Sequence, residues 1–298
     1  MFIINHIQDQ ENAIDYLELK NSDASCYAKI DLNFGGSLQE LKLKGQTIIY
    51  DENVTRFQHA FNSSILFPFV NRIEHGSYTF KGKKFNFPIN EPDRSNALHG
   101  LVFDKTFQFS SQNIEEKIAK VILVYNEKQP IEGFPYKFRM TLEYLLKENA
   151  LELQVEVINT DQDEFPFNLG WHPYFKTNDL FNSELKINSN KKLLVNDKMI
   201  PNGEQEIDWN DFLKIKDKTF DDCFVLNSNQ IELKTPEYHL ELDFSHNENF
   251  LQIYTPDDRK SIAIEPQTAP ANSFNSKTGL KILKPNETYC LKWKINLK

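Results

Sequence analysis

Between Thr106 and Val157 the chain alternates apolar and polar residues with a period of two. Leu151, Leu153, Val155 and Val157 are separated by Glu152, Gln154 and Glu156, and Phe138, Met140, Leu142 and Tyr144 repeat the spacing just upstream. Successive side chains of a strand project to opposite faces, so this pattern predicts a sheet with one dry face and does not gather its apolar residues on one side of a helix. Gly133-Phe134-Pro135-Tyr136 is a turn signal between two such runs. Strands this close in sequence are joined by tight turns, and the sheet is expected to be antiparallel.

The same reading extends in both directions. Residues 27–32 and 38–43 flank Asn33-Phe34-Gly35-Gly36 and predict the opening hairpin of a sheet, and residues 76–87 predict another that turns at Lys81-Gly82-Lys83. Downstream, residues 185–187, 224–226, 231–233, 240–244, 250–254, 261–264 and 290–297 are short strand-like runs. Residues 65–73 read as a dense apolar run, a buried strand that ends abruptly at Arg72. Helical hints are brief: residues 208–213, and residues 57–61, which suit a short helix or an irregular segment. No repeat or Pro/Ser/Gly-rich linker divides the chain, so residues 1–298 are expected to form one all-β domain.

With 40% hydrophobic residues and 24 Phe, the chain has enough apolar surface for a large core without disulfides. Cys26, Cys223 and Cys290 are widely spaced and odd in number, which predicts three reduced thiols rather than a disulfide framework or a zinc site. The N-terminal residues lack the basic flank and apolar run of a signal peptide, and no stretch reaches membrane-spanning length, so a cytoplasmic location is expected. A formal charge of -9, with five Arg among 34 basic residues, argues against a nucleic-acid surface.

Candidate chemistry is scattered along the chain. Asn168-Leu169-Gly170-Trp171-His172-Pro173-Tyr174-Phe175 sets an imidazole among aromatic rings. A His gives and takes protons near neutral pH, although a satisfied core His has the same sequence appearance. His99 sits beside Gly100, which lets the backbone bend so that the ring projects from a loop. Arg72 reads either as half of a structural ion pair or as a rigid fork of donors for ligand hydroxyls. Asp221 and Asp222 precede a strand, and Glu265 is followed by Pro266, which predicts that Glu265 stands at a sheet end. Tyr174, Phe134, Tyr136 and Phe274 are candidate rings for stacking on a ligand, each with a core reading beside it.

Taken together and in order, Asn71-Arg72-Ile73, Leu98-His99-Gly100, Trp171-His172-Pro173-Tyr174-Phe175, Phe220-Asp221-Asp222-Cys223-Phe224 and Glu265-Pro266-Gln267-Thr268 resemble the aldose 1-epimerase (galactose mutarotase) family. The resemblance implies a large twisted antiparallel β-sandwich, the galactose mutarotase-like supersandwich, and an isomerase that interconverts the α and β anomers of a free aldohexose such as galactose or glucose. It implies that His172 protonates the ring oxygen, Glu265 takes the proton of the anomeric hydroxyl, and His99 hydrogen-bonds near the ring oxygen. Arg72 would donate to sugar hydroxyls and Asp221 would accept from them, with Asn71 and Tyr174 completing the substrate-binding set; the neighbouring Asp222 is open as an alternative to Asp221. In this chain Gly100 is followed by Leu101, where the family usually has a second glycine, and Trp171 and Pro173 flank His172 in place of a polar residue and a Thr.

No metal or cofactor is required by that chemistry; a calcium ion near the carboxylate-rich loops is left open, without a ligand motif. The expected partner is a small sugar, with no nucleic acid and no membrane, and the expected state is a monomer or weak homodimer. Two alternatives stay beside the main reading. One is a hexose-6-phosphate 1-epimerase with Arg72 and Arg94 at the phosphate, and the other is a sugar sensor that has lost catalysis. A glycoside hydrolase ordinarily sets two carboxylates across the scissile bond, and here a His stands in the acid position.

Overall fold

The computed structural model describes residues 1–50, 60–245 and 250–298. Among these residues the alternating run builds the centre of a nine-stranded sheet in the order Gln108–Glu115, Ile118–Glu127, Phe138–Lys147, Ala150–Asn159, Thr288–Leu297, His239–Phe244, Gln230–Lys234, Glu184–Lys186, Leu213–Lys214, all antiparallel. Leu151, Leu153, Val155 and Val157 are buried, and Leu153 is flanked in register by Tyr144 and Trp293. Each side chain buried in this way contributes about 1.5–3 kcal/mol relative to exposure.

A second sheet has eight strands. Its main path runs Pro201–Trp209, Ser189–Val195, Asp221–Leu226, Phe250–Tyr254, Ser261–Gln267, Gly170–Trp171, Ile65–Leu66, and Tyr174–Lys176 also pairs with Ser261–Gln267. The two sheets meet through the core. Trp171 from the second stacks on Trp293 from the first at a centroid distance of 5.9 Å, and Ile262, Ile264, Leu251, Ile253 and Phe224 belong to the same apolar cluster as Leu142 and Val155. A five-stranded antiparallel sheet, Phe2–Asp9, Ile14–Asn21, Tyr27–Asp31, Ser37–Leu43 and Gln46–Tyr50, is tied to the nine-stranded sheet by hydrogen bonds from Tyr144 to the Gly36 carbonyl and from the Cys26 thiol to the Lys147 carbonyl. The architecture is the all-β, antiparallel one expected. All three cysteines are free thiols, and no helix among the described residues is long and apolar enough to cross a membrane.

Local expectations met different fates. Tyr27–Asp31 pairs with Ser37–Leu43 and Ser77–Phe80 pairs with Lys83–Asn86, as read from their turns. The first of these does not open its sheet, because the hairpin Phe2–Asp9 with Ile14–Asn21 precedes it. Those strands are only half covered, so polar residues interrupt their apolar pattern. The helical hint at 208–213 is overturned: Asp208 and Trp209 end the strand Pro201–Trp209 and Leu213 begins Leu213–Lys214. A neighbouring strand supplies backbone partners there, and the Trp209 indole donates to the Leu185 carbonyl, which outweighs a six-residue helical pattern too short to stand alone. Of the segment 57–61, residues 57–59 lie outside the described residues and only Ala60 and Phe61 are within them.

Residues 65–73, all buried but Arg72, are not one strand. Ile65–Leu66 is followed by a cis Phe67-Pro68 bond, and Arg72–Glu74 pairs separately with Asn96–Leu98. The run is apolar because Phe67 and Phe69 are anchors in an aromatic core. Phe67 packs on Phe138 at 4.8 Å, and Phe69 packs on Phe87 at 4.6 Å.

Candidate active site

The period of two also assembles the site. In Ser261–Gln267 the side chains of Ile262 and Ile264 enter the core, so Ser261, Glu265 and Gln267 face the other way. In Phe250–Tyr254, Leu251 and Ile253 enter the core and leave Gln252 and Tyr254 on the same outer face, with Gln252 opposite Glu265. Phe175 does the same for His172 and Tyr174. In Asp221–Leu226, Phe224 and Leu226 are core residues, which sends Asp221 to the site and Asp222 to the opposite face, where it pairs with Lys192 at 2.6 Å. A cavity of about 580 Å³ lies on this face and is lined by Asn71, Arg72, His99, His172, Tyr174, Asp221 and Glu265, the seven residues singled out from the sequence.

Pro266 does not end its strand, contrary to expectation, and Glu265 is 2% exposed in the interior of the sheet. The backbone N–H groups of Ile264 and Thr268 donate to the carbonyls of Pro173 and Leu169. Pro266 falls between them, beside the break at His172-Pro173 that separates Gly170–Trp171 from Tyr174–Lys176. A residue without an N–H is tolerated where the ladder is already interrupted. His172 is instead held by Ser63 and Ser64, which accept from its N–H and donate to its carbonyl in a two-bond clasp: His172 N to Ser64 O at 3.1 Å and Ser63 N to His172 O at 2.7 Å.

At the centre His172 Nε2 lies 3.3 Å from Glu265 Oε1. The other carboxyl oxygen, Oε2, accepts from the Gln267 amide at 3.0 Å, which leaves Oε1 for chemistry. The His172 ring stacks on Tyr174 at 5.0 Å and 15°, and its edge meets His99 at 5.0 Å and 78°. Neither histidine's Nδ1 has a partner among the described residues, so ring packing orients the imidazoles here. Burial pushes the His172 imidazolium down to about 3 and holds His99 well below the ordinary imidazole value, with the neighbouring His172 and Arg72 adding to the latter. Burial, and then the Asp221 charge, push Glu265 well above the ordinary carboxylate range. A lone charge on either partner is thus disfavoured, and one proton shared between them is the arrangement that burial selects.

Around this pair stand the polar walls. Burial raises Asp221, whose Oδ1 accepts from Gln252 at 2.8 Å. Arg72 forms the structural ion pair that was one of its two sequence readings, and it also lines the cavity. Its Nε and Nη2 grip Glu91 at 3.0–3.1 Å, and its Nη1 donates to Asn71 Oδ1 at 3.0 Å. His99 follows directly from this strand pair, with φ +63° and its N–H on the Asn71 carbonyl at 2.8 Å. Of the other aromatic candidates, Phe134, Tyr136 and Phe274 are buried core residues, in contact with Phe165, Phe165 and Tyr78, and do not line the cavity. Sequence reasoning missed Glu91, Gln252 and Gln267 as site supports. Gln267 was within reach, since it shares a face with Glu265 two residues away, whereas Glu91 is in a turn and meets Arg72 only in three dimensions. Among the described residues no group of three or more His, Cys, Asp or Glu is arranged to hold a metal ion.

Comparison with known proteins agrees with this fold. The family described as aldose 1-epimerase matches residues 16–296. The Escherichia coli protein YihR is 24% identical over 280 residues, covering 90% of this chain and 89% of that protein. An aldose 1-epimerase of Streptococcus thermophilus is 27% identical over 245 residues, covering 67% of this chain and 69% of the other. Among solved structures, a galactose mutarotase-like protein from Clostridium acetobutylicum superposes with a TM-score of 0.87 at 23% identity, covering 100% of this chain and 98% of that one. The chain belongs to the aldose 1-epimerase family, isomerases that act on carbohydrates.

Proposed function

We propose that this protein interconverts the α and β anomers of an unphosphorylated aldohexose, with His172 as the acid and Glu265 as the base. The observation that carries the reading is the 3.3 Å contact between His172 Nε2 and Glu265 Oε1, two buried side chains that line the cavity. The ring oxygen and the anomeric hydroxyl of a pyranose share one carbon, so an acid for the first and a base for the second must themselves be neighbours. In the opening step Glu265 removes the proton of the anomeric hydroxyl, the carbonyl forms, the bond from C1 to the ring oxygen breaks, and that oxygen takes a proton from His172. Rotation about C1–C2 presents the other carbonyl face. Closure returns a proton from the hydroxyl to His172 and one from Glu265 to the new anomeric oxygen. The pair carries one proton before and after, which its environment favours.

The walls suit a neutral sugar. Arg72 and Arg94 both lean on Glu91, with Arg94 Nη1 at 3.2 Å, so the two cations suggested for a phosphate already share a carboxylate. Polarimetry of freshly dissolved α-D-glucose and α-D-galactose tests the proposal: the expected result is a faster approach to the same final rotation. No acceleration of either sugar would remove the assignment.

Two further outcomes follow from the geometry. Asp221→Asn should raise KM about tenfold, the loss expected for a charged hydrogen bond, while Asp222→Asn should leave kcat/KM within about twofold because its side chain is on the other face. Equal effects from the two would contradict the assignment of faces. The pH profile should show no acid limb at the ordinary imidazole value. Adding a second proton means charging His172, which burial moves well below the ordinary 6.5, and removing the only one means ionising Glu265 beside a neutral His172, which burial moves well above the ordinary 4.5. The one-proton state is therefore widened on both its acid and its basic side. An acid limb centred near 6.5 or above would show that His172 titrates as an exposed imidazole.

A further inference from the structure

Arg72 has five N–H donors, and among the described residues three are held: Nε and one on Nη2 by Glu91, and one on Nη1 by Asn71. With those partners one donor is left on each terminal nitrogen, and Arg72 is among the residues that line the cavity. Glu91 itself does not line the cavity. It stands behind the wall with its side chain 12% exposed, and it collects the Arg72 fork, Arg94 Nη1 at 3.2 Å and the Asn96 amide at 2.8 Å. These contacts, with Arg72 foremost among the charges, hold its carboxyl below the usual range despite burial, so it is ionised whenever the site works.

The turn that carries Glu91 is itself fixed. Glu91 and Asn96 exchange two backbone hydrogen bonds at 3.1 Å, and Asn90 binds both the N–H and the carbonyl of Leu98. Leu98 pairs in register with Arg72 and precedes His99. The carboxylate is thus mounted on the same small ladder as the guanidinium it grips, and its position relative to Arg72 is set by backbone rather than by a flexible arm.

We infer that Glu91 is a positioning residue for substrate recognition: by gripping one edge of Arg72 it aims the two remaining N–H donors at a pair of adjacent sugar hydroxyls. A carboxylate held bidentately fixes the plane of a guanidinium, and a fixed plane makes two donors act together on a diol. Glu91 takes no part in proton transfer, so its loss affects binding and spares the chemical step. The inference rests on the mutarotase reading of the site.

The test is a cycle of Glu91→Gln, Arg72→Ala and the double variant, assayed by polarimetry on the sugar that the wild-type protein accelerates. Glu91→Gln keeps the size of the side chain and an oxygen acceptor, and melting curves establish that each variant is folded. The expected result is a rise in KM of about tenfold for Glu91→Gln with kcat within about threefold, and a double variant no weaker than Arg72→Ala alone. Should Glu91→Gln not fold, Glu91→Asp is assayed in its place with the same expectation for KM and for the cycle. An unchanged KM, a loss confined to kcat, or effects that multiply in the double variant would overturn the positioning role while leaving the mutarotase reading intact. A wild-type protein that accelerates no sugar would overturn both, and that outcome is seen before any variant is made.

Discussion

Glu265→Gln is expected to lower turnover by on the order of 10²–10⁴-fold, the range that a positioned general base contributes. The substitution is nearly isosteric, and the new amide can keep a hydrogen bond to Gln267, whose own amide can turn to suit. What it loses is the ability to accept a proton from the anomeric hydroxyl, and the one-proton pair with His172 no longer exists. Stability should not fall with activity. Burial and the nearby Asp221 already oppose a charge at this position, so an amide there relieves a cost and the melting temperature should hold or rise. Polarimetry and thermal melting on the same sample check both parts. A folded Glu265→Gln protein with wild-type turnover would remove Glu265 from the reaction, whereas one that melts well below wild type would make the carboxylate structural.

Gly100→Ala should damage both stability and activity through backbone alone. Gly100 has φ +79°, and a Cβ there would lie 2.2 Å from the carbonyl oxygen of Phe67. The left-handed conformation costs an L residue about 1–2 kcal/mol, and the clash adds about 1–3 kcal/mol of overpacking strain, so a loss of about 2–5 kcal/mol is expected in denaturant unfolding. The strain has no soft outlet. The opposing atom is backbone, and it is held by the bond from Leu101 N to the Phe67 carbonyl at 2.7 Å next to the packed Phe67 ring. Relief must therefore move the loop that carries His99, and the 5.0 Å contact of His99 with His172 would open. The expected kinetic sign is a fall in kcat/KM beyond any unfolded fraction. A variant with wild-type stability would show that the Phe67 segment yields more easily than its packing implies.

The alternation at 138–157 specified its strands because each side chain's face depends only on its place in the local repeat, and one face had to be dry. The same rule settled a question that the sequence left open: Asp221 and Asp222 are adjacent, so once Phe224 and Leu226 enter the core the two carboxylates must part. Residues 65–73 misled for a physical reason as well. Burial alone makes a segment apolar, and the aromatic core buries an irregular turn around Phe67 and Phe69 as fully as it would a strand.

Pro266 shows where local rules stop. Taken alone, a proline argues against a strand interior, but whether it is tolerated depends on the neighbouring strand, and here that strand is interrupted at His172-Pro173, in another part of the chain. Glu91 is the same lesson in charge: its carboxylate is unremarkable in a polar turn until Arg72, nineteen residues earlier, folds onto it. By itself the sequence determined the all-β class, most strand positions and the residue types able to exchange protons, since these follow from periodicity and intrinsic pKa. Only the tertiary structure decided that His172 and Glu265 share one buried site, which face each carboxylate occupies, and in which direction their proton affinities move, because desolvation and contact depend on neighbours that are distant in the chain.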